Sequence, residues 1–382
     1  MKEIYFDNAA TSFPKPPEVL AAINDYSLNL GASAGRGAYP RALATGKMIY
    51  DTRQSLSRLF NVADSSRIVF TFNCTDGLNL AIQGLTWKKD DEALVSMMEH
   101  NSVIRPLNVL KEKIGIKIKK IECDNQGFLN LTALKQAITK KTKLIAVVQA
   151  SNVTGTIQPI AQIGLLAGRY SIPFLVDAAQ SAGALPIDVQ KMNIDLLAFP
   201  GHKSLLGPLG TGGLYIAPHL SLEPLKTGGT GSVSEQEVHP DFLPDKYEAG
   251  SHNALGIAGL KSALAYLQKT GLKQIRRQEK ELTECFLKGL KKIPGVIVYG
   301  PGDAARQVAV ISLNLAGYAP NQLAELLAKK YGLMTRSGLH CAPLAHRSIG
   351  AYPLGTVRFS FGCLNTFKQI DIALQSLKKI AQ

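Results

Sequence analysis

Two short apolar runs of this 382-residue chain end in a carboxylate and in an amine. Residues 174–176, Phe-Leu-Val, run into Asp177, and residues 195–199 lead within four residues to Lys203. An acid and an amine at neighbouring strand ends suit pyridoxal phosphate, because the lysine forms a Schiff base and the carboxylate keeps the ring nitrogen protonated. An ordinary ion pair at a strand edge is the more frequent arrangement, so this pair alone leaves both interpretations open.

The segments that must hold this pair alternate between strand and helix patterns. Short runs rich in Val, Leu, Ile and Phe recur at residues 67–72, 93–100, 117–122, 144–149, 174–177 and 195–199. The helical spacing of apolar residues between them predicts a mostly parallel sheet with helices on both faces. In such sheets ligands bind beyond the carboxyl ends of the strands, where Asp177 and Lys203 fall.

The pattern changes after residue 253. A long helical region is expected up to residue 292, followed by strands at 296–300, 308–315 and 357–361 and a last helix. The chain is therefore expected to be an α/β protein with a large domain over residues 16–253. A smaller α+β domain is expected over residues 254–382, joined by the N-terminal segment 1–15.

The composition is that of a folded, basic protein, with 46% hydrophobic residues, 19% charged residues and a formal net charge of +14. The basic residues are mixed with apolar ones at helical or strand spacing, and no nucleic-acid-binding motif accompanies them. The charge therefore favours a solvated surface, or an acidic partner, over specific nucleic-acid binding.

The chain has five cysteines, an odd number, and they show no regular spacing. This argues against a disulfide framework or a structural zinc site. No metal site is expected. The N-terminus lacks the apolar core of a signal peptide, and no apolar run approaches the ~20 residues of a membrane span. We therefore expect a cytoplasmic, reduced protein with no place in a membrane.

A small polar turn follows the strand expected at residues 67–72. It contains Cys74 and Thr75 and leads into an apolar helix. Free backbone N–H groups and the helix dipole make such a turn a natural cup for phosphate, to which Thr75 adds a hydroxyl. Helix capping requires similar residues for purely structural reasons, so the cup is one of two interpretations.

The order of motifs along the whole chain is more specific than any single motif. The sequence contains, in order, DNAATS, MEH, SNVTGT, VDAAQSAG, GHK before a glycine-rich loop, EAGSHN, RSGLHCAP and VRFSFG. In this order they resemble the class V aminotransferase superfamily of fold type I and, within it, the cysteine desulfurase and selenocysteine lyase family. The resemblance implies a seven-stranded type of sheet in the large domain, pyridoxal phosphate as the cofactor, and a homodimer.

The resemblance also implies which residues hold the cofactor: Lys203, Asp177, Gln180, His100, Thr75, Cys74, Asn152, His202 and Ser251. Lys203 would form the Schiff base and Asp177 would hold the ring nitrogen. Gln180 and Asn152 would contact the phenolic oxygen, unless they only satisfy polar groups at strand ends. His100 would stack on the ring and move protons at neutral pH.

The phosphate is assigned by the resemblance to Thr75, His202 and Ser251, the last of which would reach across from a second subunit. One departure concerns this group. Relatives place a serine or threonine two residues before His202, where this chain has Pro200, which has neither a hydroxyl nor a backbone donor. We therefore expect one hydrogen bond fewer to the phosphate, with Ser204 as the candidate to compensate.

Cys341 matches the catalytic cysteine of the family. It lies in RSGLHCAPLAH between an expected strand and helix, and therefore on a loop where a thiol is accessible. Thiolate chemistry requires a lowered pKa, for which His340, Arg336 and His346 are the candidate sources. The other four cysteines are expected to be small, buried, apolar residues.

Arg358 resembles the guanidinium that binds the substrate α-carboxylate, a planar group suited to bidentate recognition. Further candidates for the substrate side of the cleft are Asn8, Arg36, Arg336 and His340.

The activity that the resemblance implies is the conversion of L-cysteine to L-alanine. Lys203, Cys341 and His100 would be the catalytic residues, and Cys341 would keep the sulfur as a persulfide before it passes to an acceptor protein. A selenocysteine lyase, or another class V enzyme such as a C–S lyase, epimerase or aminotransferase, is the alternative. A nucleic-acid-binding protein without enzymatic activity would need no cofactor.

Overall fold

The structure is a computed structural model that describes residues 3–35 and 37–382. Its strands are β1 (Ile4–Tyr5), β2 (Ile68–Thr71), β3 (Glu92–Ser96), β4 (Lys117–Ile121), β5 (Thr142–Val148), β6 (Phe174–Asp177), β7 (Leu196–Pro200), β8 (Gly212–Ile216), β9 (Val296–Tyr299), β10 (Val310–Leu315), β11 (Leu333–Met334), β12 (Arg336–Gly338) and β13 (Thr356–Ser360). Its α-helices are α1 (Pro17–Asp25), α2 (Pro40–Phe60), α3 (Cys74–Gln83), α4 (Asn101–Ile114), α5 (Leu131–Ala137), α6 (Ile160–Arg169), α7 (Ala254–Thr270), α8 (Leu272–Leu290), α9 (Pro320–Tyr331), α10 (Pro343–Ser348) and α11 (Phe367–Ile380).

Seven strands of the described chain form one sheet in the order β2-β8-β7-β6-β5-β3-β4. The pairs from β7 through β6, β5 and β3 to β4 are parallel. Strand β8 is antiparallel to both of its neighbours, β7 and β2. The expectation of an α/β protein with a mostly parallel sheet of this type is confirmed.

The apolar runs of the central strands reflect helices on both faces of this sheet. All residues of β6 and β7 are buried. Along β7, Leu197 and Phe199 join the core cluster that includes α1, α2, α6 and α7, whereas Leu196 and Ala198 join the cluster that includes α3 and α4. Because successive side chains of a strand point to opposite faces, a strand covered on both sides is apolar throughout.

A second sheet has the order β12-β13-β10-β9, with antiparallel pairs throughout. Its core is shared with apolar residues of α8, α9 and α11. Strand β1 pairs with β11, so the start of the chain lies in the C-terminal part of the fold. The smaller sheet domain is therefore present as expected.

Helix α7 packs into the core of the large sheet, where Leu260, Leu264 and Leu267 join residues of α1 and α2. The helical region expected over 254–292 is divided at Gly271, which has a positive φ of 84° between α7 and α8. The exact division of the chain between residues 253 and 254 stays a prediction.

One expected strand ends earlier than predicted, and one strand of the large sheet was not predicted. The strand expected over residues 93–100 ends at Ser96, so that a turn separates it from His100. The glycine-rich loop after Lys203 leads into β8. This strand could not be recognised in the sequence, because its glycines interrupt the apolar pattern. A Cβ atom on Gly213 would lie 2.5 Å from the ring of Phe199, so the close packing of these strands requires glycine there.

Among the helices of the described residues, none combines the length and the apolar character that crossing a membrane demands.

Candidate active site

A cavity of about 490 Å³ lies beyond the carboxyl ends of β6 and β7. Eight of the nine residues that were expected to hold the cofactor line it: Cys74, Thr75, His100, Asn152, Asp177, Gln180, His202 and Lys203. They come from five segments, each at or after the carboxyl end of a strand along one edge of the sheet. The structure therefore brings together residues that are up to 129 positions apart, the separation of Cys74 and Lys203.

The carboxylate of Asp177 is 2% exposed and ends β6. Its Oδ1 accepts the backbone N–H of Ala179 at 2.8 Å and the thiol of Cys74 at 3.5 Å. No described residue donates to Oδ2. Burial, and then the charge of Asp177, raise the pKa of Cys74 well above its usual value, so this thiol stays protonated and remains a donor.

Lys203 presents an amine without a hydrogen-bond partner among the described residues. Burial lowers its pKa, because the charged form loses its hydration, although Asp177 partly offsets this effect. An amine that deprotonates readily is a nucleophile and a base. The carboxylate and the amine lie in one cavity, and their roles toward a cofactor stay predictions.

His100 precedes the first residue of α4 and caps that helix with its ring. Its Nδ1 accepts the backbone N–H of Ser102 at 3.1 Å and lies 2.9 Å from the Ser102 hydroxyl. The Ser102 hydroxyl in turn lies 2.8 Å from Oγ1 of Thr75. Burial lowers the pKa of His100, so the ring is neutral at neutral pH.

Ser102 was missed by sequence reasoning. Its signal was the spacing of two residues after His100 at the start of a helix, where a side chain commonly accepts from the second backbone N–H.

Gln180 and Asn152 use their amide groups to fasten other segments to the cavity. Gln180 Nε2 donates to the carbonyl of Ala9 at 2.8 Å, and Asn152 Nδ2 donates to the carbonyl of His340 at 2.7 Å. The structure thus gives both amides a role in satisfying backbone carbonyls, and a cofactor contact stays a prediction.

The loop that carries His202 is anchored by the N-terminal segment. The carbonyl of His202 accepts from Thr11, from Ser12 and, at 2.7 Å, from the ammonium of Lys15. Within the described part of the chain, the buried Nδ1 of His202 has no hydrogen-bond partner, and burial lowers the pKa of this ring to about 4. Lys15 lies between prolines in a segment without periodic pattern, and sequence reasoning did not detect it.

Pro200 ends β7 and lines the cavity, so the departure from the family pattern does fall within the site. Ser204, which was the candidate to replace the missing hydroxyl, lines a neighbouring cavity instead. Within the chain the structure does not bring Ser251 to this cavity. Ser251 is exposed and lines two other cavities, so its expected role across a subunit interface stays a prediction.

Cys341 is exposed and lies between β12 and α10, on a loop as expected. Its carbonyl accepts the N–H of Asn101, the residue after His100, at 2.8 Å. The preceding carbonyl, that of His340, is held by Asn152. The loop is therefore fastened at two points beside the cavity. Cys341 and His340 both have positive φ, of 56° and 47°, a conformation that is strained for residues with a Cβ atom.

The expectation that His340 and His346 supply positive charge to Cys341 was wrong. Both rings are buried, and burial lowers the pKa of His340 to about 2 and also lowers that of His346. His340 Nε2 lies 3.1 Å from the hydroxyl of Thr356, and no residue in the described ranges bonds to its Nδ1. Desolvation therefore keeps both rings neutral, and Arg336 is the remaining candidate.

Arg358 is buried, and its three nitrogens have different surroundings. Nη2 donates to Asp7 Oδ1 at 2.7 Å, and Nη1 donates to the carbonyl of Asn152 at 3.1 Å. The buried Nε has no hydrogen-bond partner among the described residues. Arg336 binds the other oxygen of Asp7 at 3.0 Å. Both arginines thus converge on Asp7 beside the cavity.

Three other substrate candidates are placed differently. Asn8 donates to the carbonyl of Ser360 at 3.1 Å and to Asn365, and it lines the neighbouring cavity. The ring of His340 faces Thr356. Arg36 lies outside the described residues. For Asn8 and His340 the observed contacts stabilise the fold, and their substrate roles stay predictions.

The fold and this cavity define an α/β enzyme of the aminotransferase type, with a lysine beyond a central strand. The chain belongs to the aminotransferase class-V family, whose model matches residues 4–373. The resemblance inferred from the motifs is thereby confirmed.

Curated relatives cover nearly the whole chain. It is 34% identical to a protein named probable cysteine desulfurase from Methanothermobacter thermautotrophicus, over 99% of this chain and 94% of that protein. A probable cysteine desulfurase from Pyrococcus abyssi is also 34% identical, with the same coverage of 99% and 94%.

Solved structures agree with this placement. The apo structure of a cysteine desulfurase from Thermococcus onnurineus NA1 has a TM-score of 0.94 and 34% identity, covering 99% of this chain and 94% of that chain. The cysteine desulfurase CsdA from Escherichia coli has a TM-score of 0.88 and 28% identity, with coverage of 99% and 94%.

Proposed function

We propose that this protein is a pyridoxal-phosphate-dependent cysteine desulfurase, which converts L-cysteine to L-alanine and keeps the sulfur on Cys341 as a persulfide. The observation that carries the proposal is the attachment of the exposed Cys341 loop to Asn101 and Asn152, beside the cavity that holds Lys203. The names of the relatives support the same activity.

The residues of the cavity fit pyridoxal phosphate. Among residues 3–35 and 37–382, none bonds to the Lys203 amine, which would form the covalent bond, or to Asp177 Oδ2, which would hold the ring nitrogen. Thr75, at the amino end of α3, and the unpartnered Nδ1 of His202 suit the phosphate. His100 would cover the ring. When bound, the cofactor supplies an electron sink for the bonds broken at the substrate α carbon.

Two side chains of the cavity handle protons. Burial lowers the pKa of Lys203, so its amine loses its proton more readily and can take the α proton of the substrate. His100 is neutral and keeps Nε2 free of hydrogen bonds from the described residues, so this atom can give a proton to the product carbon or to a leaving group. Asp177 provides a fixed negative charge during both proton transfers.

Cys341 receives the sulfur atom. Its thiolate attacks the sulfur of the bound substrate, an S–S bond forms and the Cβ–S bond of the substrate breaks. The electron pair of that bond goes to the substrate β carbon, which takes a proton. The α carbon regains the proton that Lys203 removed, and the product leaves as alanine. No external oxidant is required, because the β carbon of the substrate takes up the two electrons that the transferred sulfur gives up.

Arg358 is proposed to bind the substrate α-carboxylate, with Arg336 in a supporting position. Its unpartnered Nε and its burial beside Asn152 make it the best placed guanidinium for a bidentate contact. Asp7 holds the guanidinium in place and competes with the substrate for it.

We further propose that the protein is a cytoplasmic homodimer in which Ser251 contributes to the phosphate site of the partner subunit, and that an acceptor protein removes the persulfide sulfur. Ser251 is exposed, which leaves it free to reach a second chain. Sedimentation of the purified protein checks the dimer, and a monomer that retains full activity would contradict it.

Alanine release from L-cysteine, L-selenocysteine and cysteine sulfinate tests the proposal. We expect release from cysteine, together with a visible absorbance band of the lysine-bound cofactor. Cys341→Ala should abolish release from cysteine while the band persists, whereas Cys285→Ala, on α8, should behave as the wild type. Release from selenocysteine alone would favour a selenocysteine lyase. Unchanged cysteine turnover in Cys341→Ala would remove this residue from the mechanism.

A further inference from the structure

Ser102 reaches His100 with two groups at once. As the second residue of α4, it directs its backbone N–H to Nδ1 at 3.1 Å and its hydroxyl to the same atom at 2.9 Å. The same hydroxyl lies 2.8 Å from Oγ1 of Thr75, at the amino end of α3. Three side chains therefore form one chain of contacts from the start of α3 to the imidazole.

The protons of this chain can be assigned by elimination. A backbone N–H only donates, so Nδ1 of His100 is an acceptor and the proton of the neutral ring lies on Nε2. The Ser102 hydroxyl has one proton, which goes either to Nδ1 or to Thr75. The Thr75 hydroxyl also has one proton, which goes either to Ser102 or to a ligand at the start of α3. The direction of the chain is therefore set by what Thr75 contacts.

We propose that Ser102 is a positioning residue that couples the anion end of the cavity to His100 through these two hydroxyl groups. The inference rests on the proposed phosphate site at the start of α3. An anion accepts hydrogen bonds and donates none, so it takes the Thr75 proton. Thr75 then accepts from Ser102, and the Ser102 proton turns away from Nδ1.

The consequence is a change in the basicity of the imidazole. With the anion bound, Nδ1 accepts a hydrogen bond only from the backbone N–H. The neutral ring has then lost one stabilising hydrogen bond, so the affinity of His100 for a proton rises. Four charged groups also act on the ring: Asp177 favours its protonation, whereas Lys203, Arg105 and Arg358 oppose it. None of these four contacts the Ser102 hydroxyl. The part of the response that passes through Ser102 can therefore be separated by substitution.

Histidine ring NMR on the apo protein, with inorganic phosphate as the probe, tests the coupling. His100→Gln identifies the His100 signal. For the wild type we expect phosphate to raise the His100 titration midpoint by about half a pH unit. For Ser102→Ala we expect a raised midpoint even without phosphate, and less than half of the wild-type response to phosphate. Ser102→Thr, which keeps the hydroxyl, should respond as the wild type, and so should Ser55→Ala on α2.

Equal phosphate responses in the wild type and Ser102→Ala would show that the anion acts through space, and would overturn the coupling. So would a His100 midpoint that does not respond to phosphate. If Ser102→Ala does not fold, Ser102→Gly also removes the hydroxyl and keeps the backbone donor. The proposed activity is scored separately, by alanine release from the protein loaded with pyridoxal phosphate.

Discussion

Nη2 of Arg358 donates a 2.7 Å hydrogen bond to Oδ1 of Asp7, and this pair joins the N-terminal segment to β13. The side chain of Arg358 is 3% exposed and that of Asp7 is 13% exposed. Arg336 binds the second oxygen of Asp7, so one carboxylate balances two guanidinium groups. The residue that opens the DNAATS motif thereby fixes the position of the proposed substrate arginine.

Replacement of Asp7 should destabilise the fold. Asp7→Asn leaves the buried guanidinium of Arg358 without its counter-charge, and breaking a buried pair costs about 3 kcal/mol. Urea unfolding measures the change in the free energy of unfolding. Glu325→Gln, which breaks an exposed pair with Lys329 on α9, is the control and should cause no measurable change. Equal stabilities of the two variants would show that the Asp7 pair adds nothing.

Arg358→Lys should impair substrate use more than cofactor binding. Lysine keeps the charge but loses the planar pair of donors, which amounts to about 2–3 kcal/mol, or roughly 100-fold in kcat/KM for cysteine. Steady-state alanine release and the visible cofactor band check the two effects separately. Arg336→Lys is the matched control, because its side chain is 51% exposed, and it should lose much less. A larger loss in Arg336→Lys would exchange the roles of these arginines.

Pro200 should weaken the hold on the cofactor phosphate. Pro200→Ser adds a hydroxyl to the cavity wall, and one hydrogen bond to a charged group is worth about 1.5 kcal/mol, or roughly tenfold in affinity. Dialysis followed by absorbance measures retention of pyridoxal phosphate. Pro200→Ala restores the backbone donor without the hydroxyl and so separates the two contributions. Equal rates of cofactor loss from the wild type, Pro200→Ser and Pro200→Ala would show that Pro200 does not weaken phosphate binding.

Much of the fold was predictable because the buried strands are long apolar runs. Strands β5, β6 and β7 stand out for that reason, and the positions of Asp177 and Lys203 followed from their ends. Strand β8 was hidden because Gly212 and Gly213 carry no side chains to show alternation. Glycine is required there by the packing of Phe199, which is a contact between strands that no local pattern reveals.

Within the site, the motifs identified the residues that line the cavity but not the contacts between distant segments. Lys15 binds the carbonyl of His202, 187 positions away, and Asp7 pairs with Arg358 across 351 positions. The prediction that His340 and His346 carry a positive charge was wrong for a related reason. A histidine beside a cysteine in sequence suggests a cation, but burial decides whether the ring is charged, and burial is a property of the whole fold.

Glu279 on α8 is a buried carboxyl group that the proposed mechanism does not use. It lines the cavity of about 450 Å³ next to the active site, is 5% exposed, and makes no side-chain hydrogen bond to the described residues. Burial raises its pKa to about 8, and the nearby Arg276 only partly offsets this effect. Glu99, also fully buried, has its pKa raised by burial to about 8 as well. Both groups are therefore protonated in the folded protein at neutral pH.

The stability of the protein should depend on pH through Glu279. In the unfolded chain a glutamate titrates near pH ~4.3, so between that value and about pH 8 the folded state holds a proton that the unfolded state has lost. Stability from this group therefore falls as pH rises through that window, by up to about 1.4 kcal/mol per pH unit. Glu279→Gln keeps the shape and cannot ionise, so its free energy of unfolding, relative to the wild type, should improve from pH 5 to pH 8. Glu281→Gln on the exposed side of α8 is the control, and parallel pH profiles for all three proteins would show that Glu279 is ionised in the fold.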